Sequence, residues 1–204
     1  AHRPVPLAVL KRVLTGVRQD VFWEVQLAVI ILVLLFTFAR SETPFPASHT
    51  GEGALDEHKH LLVRDVKVRT TPSLHLAVRL KAIKQDPRLE RPEAAGGVDG
   101  GEDWIIIGET QDPAFSIITW FRRLIAFHAH PRIENTAFFT SRAKDRPLLY
   151  RTALDDFRTV LARTEGEVEA KKLGFHGLRV QGYNLSKMVD PELAVAHGGW
   201  KSTA

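Results

Sequence analysis

Residues 21–39 read VFWEVQLAVIILVLLFTFA and form the most apolar stretch of this 204-residue sequence. From Leu27 to Ala39 the only polar residue is Thr37. A membrane-spanning helix needs about 20 apolar residues, whereas this run has 13 and follows Glu24 and Gln26 closely. A helix that is apolar on all sides is buried among other elements. We therefore expect a central buried helix here, and a membrane-anchored or unrelated helical protein is the alternative.

The residues on either side of this helix predict an α+β fold that is mainly α. Residues 61–70 and 74–83 alternate between apolar and polar side chains around a turn, which predicts an antiparallel hairpin with one polar face, and residues 104–107 form a third strand. Helical spacing marks the remaining segments: 6–17, 112–128, 152–163, 165–173, 175–188 and 191–196. We expect one helical catalytic domain over residues 1–204, with a small three-stranded antiparallel sheet on one edge.

The charge and composition of the chain indicate its class of binding partner and its cellular compartment. The net charge of +4 and the pI near 9.5 favour an anionic partner such as nucleic acid. The absence of cysteine excludes disulfides, zinc–thiolate sites and thiol catalysis, and it fits a reducing intracellular compartment. No signal peptide pattern is present at the N-terminus, so we do not expect secretion.

Several familiar constellations are missing or incomplete. The sequence has no phosphate-binding glycine loop, no dinucleotide fingerprint and no nucleophile elbow. Histidines at 58 and 60, and again at 128 and 130, lack an indicated third ligand, so we expect no metal site and no cofactor. Asp155 and Asp156 are adjacent on a predicted helix, where they diverge, and we expect both in solvent.

A different set of side chains suits a phosphodiester. Arg40 closes the apolar run, and His176 and Arg179 lie at i and i+3, on one face of a predicted helix. Two arginines bind the non-bridging oxygens of a phosphodiester and offset charge in its transition state. A hairpin lysine, Lys81 or Lys84, protonates a leaving oxygen in such a site. His176 donates a hydrogen bond or moves a proton, and Trp200, after Gly198 and Gly199, adds an indole N–H.

These residues resemble the motifs of the tyrosine recombinase (phage integrase) family. Residues 175–179, FHGLR, resemble its His-x-x-Arg segment, and GGW at 198–200 resembles its second His-or-Trp position. Arg40 resembles its first catalytic arginine, and Lys84, in IKQD, its hairpin lysine. The intervals are 44 residues from Arg40 to Lys84, 92 to His176, and 21 from Arg179 to Trp200. The resemblance covers about residues 6–200.

The resemblance implies a site-specific DNA recombinase from a mobile element. Such enzymes break and rejoin duplex DNA through a 3′-phosphotyrosyl intermediate, without metal, and act self-associated on DNA. We therefore expect double-stranded DNA as the partner, self-association on it, no membrane association, and a location in the host nucleus or cytoplasm. The resemblance makes Arg40, Lys84, His176, Arg179 and Trp200 the catalytic candidates.

The sequence departs from the family at two places. The first arginine of the family usually stands three residues before a glutamate, a place that Ala39 takes here, and we expect Arg40 to serve after a one-residue shift. The nucleophilic tyrosine belongs about nine residues beyond Trp200, and neither Tyr150 nor Tyr183 corresponds to it. We therefore expect a chain truncated at both ends, without the N-terminal DNA-clasping domain or the tyrosine segment, and inactive in cleavage. The alternative is a non-catalytic DNA-binding relic of the same fold.

Overall fold

The computed structural model describes residues 3–40, 43–71, 73–80 and 104–189. Within these ranges the chain forms six α-helices and one antiparallel sheet, which confirms the α+β, mainly α class. The helices are α1 (Leu7–Thr15), α2 (Phe22–Thr37), α3 (Ile117–Ala126), α4 (Tyr150–Glu165), α5 (Glu167–Lys172) and α6 (Phe175–Val189). The strands are β1 (Val66–Arg69), β2 (His75–Arg79) and β3 (Trp104–Gly108), in the order β1-β2-β3.

Helix α2 is the centre of the fold. Residues 25–35 are all buried, and α3, α4 and α6 pack around them. The uniformly apolar surface that identified this helix in the sequence is therefore matched by neighbours on several sides. Among the described residues, no helix is long and apolar enough to cross a membrane. The helix ends at Thr37 because Phe38 takes a left-handed conformation, with φ of 51°.

The sheet packs its apolar face against α2 and α3. Val66 pairs with Val78, which pairs with Ile105, and all three are buried. Strand β1 is shorter than the alternation predicts, because residues 63–65 form a 3₁₀ turn. The carboxylate of Asp65 closes that turn by accepting a hydrogen bond from the Leu62 amide at 3.0 Å.

The opposite face of the sheet is less polar than the sequence predicts. His75 is only 3% exposed, and Ala77 is buried beside it. Three cationic side chains gather over the ring of Trp104 at 5.3–5.4 Å from its centroid: Lys67, Arg69 and Arg79. Aliphatic stems of such side chains cover apolar surface while their charges reach solvent, which fits the burial of His75 and Ala77 on the central strand, whereas Ile106 on the same face is 65% exposed.

A buried carboxylate joins three elements at the N-terminal end of α2. Glu24 is 0% exposed and accepts hydrogen bonds from Arg18 Nε at 2.6 Å and from Arg163 Nη2 at 2.7 Å. Burial raises the pKa of Glu24, but the hydrogen bonds from the two arginines outweigh it and leave the pKa below its ordinary value. The pair of contacts fastens the α1–α2 turn and α4 to the central helix.

The prediction for Asp156 was wrong. Asp155 is exposed as expected, but Asp156 is 5% exposed and binds Arg142. Burial raises the pKa of Asp156 despite that partner. Arg142 also lies over the ring of Trp23, 4.4 Å from its centroid. The spacing of residues within α4 does not reveal this contact, because Arg142 and Trp23 both belong to other segments of the chain.

Candidate functional site

Helix α6 carries two of the candidate residues, His176 and Arg179. It extends over Phe175–Val189, as the periodicity of residues 175–188 predicts. Its first residue, Phe175, is 1% exposed and packs among the rings of Phe45, Tyr150 and Phe157, with centroids 5.3–6.1 Å apart. This aromatic cluster holds the N-terminal end of α6, and therefore the backbone of His176, in one place.

Two residues that follow α2, Phe38 and Phe45, contact α6. Gly182 lies so close to α2 that a Cβ atom there would be 2.0 Å from the Leu35 carbonyl oxygen and 2.6 Å from the Phe38 ring. Phe45 stacks on Phe175 with centroids 5.9 Å apart. The two contacts lie on either side of His176 and Arg179 in the sequence of α6.

Arg40 lies between these two contacts. It is exposed, whereas Ala39 beside it is 7% exposed. The left-handed conformation of Phe38 turns the chain sharply away from the axis of α2, so Arg40 and Ala39 differ in exposure. Arg179 is one helical turn from Gly182, Gly182 contacts Phe38, and Phe38 is two residues from Arg40. The Cα atoms of Arg179 and Arg40 therefore lie within roughly 20 Å of each other. Two arginine side chains span most of such a distance.

His176 and Arg179 differ in burial although they share a face of the helix. His176 is exposed, and Arg179 is 9% exposed. The N-terminal segment contributes to this difference by crossing α6 between them, where the Val5 amide donates to the Gly177 carbonyl at 3.2 Å. A Cβ atom at Gly177 would be 2.6 Å from the Arg3 carbonyl oxygen, so this crossing requires glycine.

The remaining candidates lie outside the described residues. Lys84, its alternative Lys81 and Trp200 all belong to the undescribed ranges. The structure thus describes three of the five predicted residues: Arg40, three residues after the end of α2, and His176 and Arg179 on α6. The two tyrosines pack elsewhere: Tyr150 belongs to the aromatic cluster around Phe175, and Tyr183 is half-buried on α6.

The histidine pairs do not form a metal site in the described part of the chain, where no group of three metal-binding side chains is found. His60 Nδ1 accepts a hydrogen bond from the Asp56 amide at 2.8 Å, and burial lowers its pKa. His128 lies edge-on to Phe22, and its pKa is also lowered, by burial first and by Arg132 and Lys144 next. Both imidazoles are thus held neutral at pH 7.

The structure brings together a second group of basic side chains that no sequence pattern predicts. His128, Arg132, Lys144 and Arg146 line one cavity, and only His128 had been considered, as part of a metal pair. Local spacing does not predict the group because its members come from a loop and a turn that meet through packing. Comparisons with protein-family models, with curated proteins and with solved structures find no match to this chain.

Proposed function

We propose that this chain is the catalytic domain of a tyrosine recombinase-like enzyme that breaks and rejoins duplex DNA. One observation carries the proposal: the chain on either side of Arg40 contacts α6, with the Phe38 ring against Gly182 and the Phe45 ring stacked on Phe175. An arginine three residues after the end of a buried helix, with that helix packed on one that carries His-x-x-Arg, suits a rigid phosphodiester clamp.

In the proposed reaction, a tyrosine hydroxyl gives its proton to His176, and its oxygen attacks the phosphorus of one DNA strand. The 3′-phosphotyrosyl bond forms, the bond to the 5′ oxygen breaks, and that oxygen takes a proton from Lys84. Arg40 and Arg179 bind the non-bridging oxygens and offset the charge of the pentavalent transition state. His176 and Trp200 donate hydrogen bonds to the same phosphate. The resemblance implies that the tyrosine follows Trp200 by about nine residues, which lies beyond Ala204.

Binding to duplex DNA tests the clamp. We expect Arg40→Ala and His176→Ala, both at exposed positions, to weaken binding about tenfold, and Arg40→Ala to lower the slope of log affinity against log salt by about 1. The matched control is Arg122→Ala, which removes an exposed cation from α3. Fluorescence anisotropy at several salt concentrations measures both quantities. Equal losses in Arg40→Ala and Arg122→Ala would contradict a local clamp.

Covalent chemistry distinguishes an enzyme from a non-catalytic DNA-binding relic. A protein carried through the reading frame past Ala204 should form a covalent adduct with a nicked half-site DNA, and Arg179→Ala should abolish it. A frame with no tyrosine near the expected place, or DNA binding with no adduct, would support the relic. Retained full cleavage in Arg179→Ala would remove that residue from the mechanism.

A further inference from the structure

A cavity of about 390 Å³ lies between the loop of residues 128–137 and the turn of residues 140–147. Four basic side chains line it: His128, Arg132, Lys144 and Arg146. Asp145, the one acidic residue of the lining, accepts a hydrogen bond from the Ser141 hydroxyl at 2.6 Å, and its carboxylate lies 3.9 Å from Arg146 Nε. We name this feature the basic cavity.

Arg132 is fixed within the basic cavity by hydrogen bonds to the backbone. Its guanidinium donates to the carbonyl oxygens of Phe138, at 2.6 Å, and Ala137, and it lies over the Phe138 ring. Burial lowers the pKa of Arg132 to about 10, so the group stays charged at neutral pH. In residues 3–40, 43–71, 73–80 and 104–189, no carboxylate pairs with it. A partly desolvated cation held rigidly without a counter-charge is favourable for an anionic ligand.

Lys144 adds a second cation at a conformational cost. Its φ of 62° is left-handed, where glycine or asparagine is the usual residue. Its ammonium donates to the Phe127 carbonyl at 2.9 Å and lies over the Phe22 ring, and the described carboxylates do not reach it. His128 lines the same cavity as Arg132 and Lys144, and both of these cations lower its pKa, after burial.

The opposite wall of the basic cavity is rigid. Thr140, which lines it, exchanges two backbone hydrogen bonds with the buried Gln26 side chain, at 2.8 and 2.9 Å. The Thr140 hydroxyl is buried and has no hydrogen-bond partner within the described ranges. Buried polar groups are nearly always satisfied, so such a group calls for an explanation. Leu55, Pro131 and Pro147 give the rest of the lining an apolar character.

We propose that the basic cavity binds the phosphate group of a small phosphorylated molecule of about nucleotide size. The volume lies in the range of small-molecule sites. Arg132, Lys144 and Arg146 supply charge-assisted donors for the phosphate oxygens, and the apolar wall contacts the remainder of the ligand. The site is distinct in its residues from the proposed DNA clamp, so its success or failure leaves that proposal unaffected.

Calorimetric titration with a nucleoside monophosphate, inorganic phosphate and the unphosphorylated nucleoside tests the proposal on the whole chain. The informative variant is Lys144→Gly with Arg146→Gln, because glycine accepts the left-handed backbone and so preserves the turn. Lys171→Gln, at an exposed position on α5, is the matched control. We expect the double variant to bind the monophosphate at least about tenfold more weakly, the control to bind like the native chain, and the nucleoside to bind weakly or not at all.

Three results would overturn the proposal. The first is no saturable binding of either phosphate probe up to about 10 mM. The second is an equal loss of affinity in the double variant and in Lys171→Gln. The third is a double variant that loses affinity for duplex DNA while the native chain binds no monophosphate, since the basic cavity would then be a contact for the DNA backbone. Circular dichroism and the thermal midpoint verify that each variant is folded.

Discussion

Substitution of Gly182 by alanine tests the contact on which the proposed DNA clamp depends. The added Cβ atom would be 2.0 Å from the Leu35 carbonyl oxygen and 2.6 Å from the Phe38 ring, where ordinary contact begins near 3.4 Å. Neither obstacle is the end of a flexible side chain, because one is helix backbone and the other is a ring that is 8% exposed. Helix α6 must therefore move away from the C-terminal end of α2.

The expected cost follows from two opposing effects. In an exposed helix, alanine in place of glycine would stabilise by about 1 kcal/mol. Overpacking a close-packed contact so that backbone must shift costs typically about 1–3 kcal/mol and occasionally more. Because the deficit here is more than 1 Å against a backbone atom, we expect an overpacking cost at or just above the upper end of that range, about 3–4 kcal/mol. Less the gain of about 1 kcal/mol, the net loss is roughly 2–3 kcal/mol. For a chain of this size, that corresponds to a decrease in melting temperature of roughly 4–12 °C.

Urea unfolding followed by circular dichroism measures this loss, and Gly174→Ala provides the control. A Cβ atom at Gly174 would meet only the Leu154 side chain, at 3.7 Å, so we expect a change within about 0.5 kcal/mol. Because Gly182 is one turn from Arg179, Gly182→Ala should also weaken DNA binding under conditions where it remains folded. Equal stability of the two variants would refute the close approach of α6 to α2, and with it the placement of Arg40 beside α6.

Three further predictions concern the core and its charges. Glu24→Gln should destabilise by about 1–3 kcal/mol at pH 7, because it weakens two charge-assisted hydrogen bonds whose arginine partners remain in contact with water. Glu24 stabilises the folded state because its pKa is lowered there. This stabilisation should decline as pH falls below about 4, toward the folded pKa. Urea unfolding between pH 7 and pH 3 measures the decline. Asp156→Asn should cost less than about 1 kcal/mol at pH 7 in the same assay. The pKa of Asp156 is raised in the folded state, so ionisation of this carboxyl above about pH 4 destabilises the folded protein. A loss as large as that of Glu24→Gln would contradict this difference. Leu32→Ala should cost about 2–5 kcal/mol, and Leu7→Ala, at a position 37% exposed, less than about 1 kcal/mol; equal losses would contradict the central position of α2.

The two buried carboxylates, Glu24 and Asp156, show which contacts local sequence patterns predict and which they do not. Glu24 stands six residues after Arg18 and beside a long apolar run, which is compatible with a local pair, yet its second partner, Arg163, comes from 139 positions away. Asp156 was expected in solvent because it and Asp155 are adjacent on a helix, where they diverge. It is buried beside Arg142, which comes from another segment and itself lies over the Trp23 ring. Partners supplied by distant segments leave no periodic signal in the chain.

The strands show the same limit at shorter range. Alternation predicts a strand from residue 61, but β1 begins at Val66. The amides of Val63 and Arg64 instead donate to the carbonyls of Thr136 and Glu134, at 3.0 Å each. The loop that contains Glu134 and Thr136 thus accepts the hydrogen bonds of these two amides, and residues 63 and 64 do not extend β1. Which backbone groups pair is decided by what packs alongside, since every buried amide needs a partner.

The sequence by itself determined the elements whose signal is local. An apolar run of 13 residues predicted the buried helix α2, alternation predicted an antiparallel hairpin, and the order of charged residues suggested a phosphodiester clamp. Only the tertiary structure decided which side chains meet. It packs Phe38 against Gly182 and Phe45 against Phe175, and it gathers Arg132 and Lys144 around one cavity. The physical reason is that secondary structure follows from periodicities of a few residues, whereas convergence depends on close packing between segments far apart in the chain.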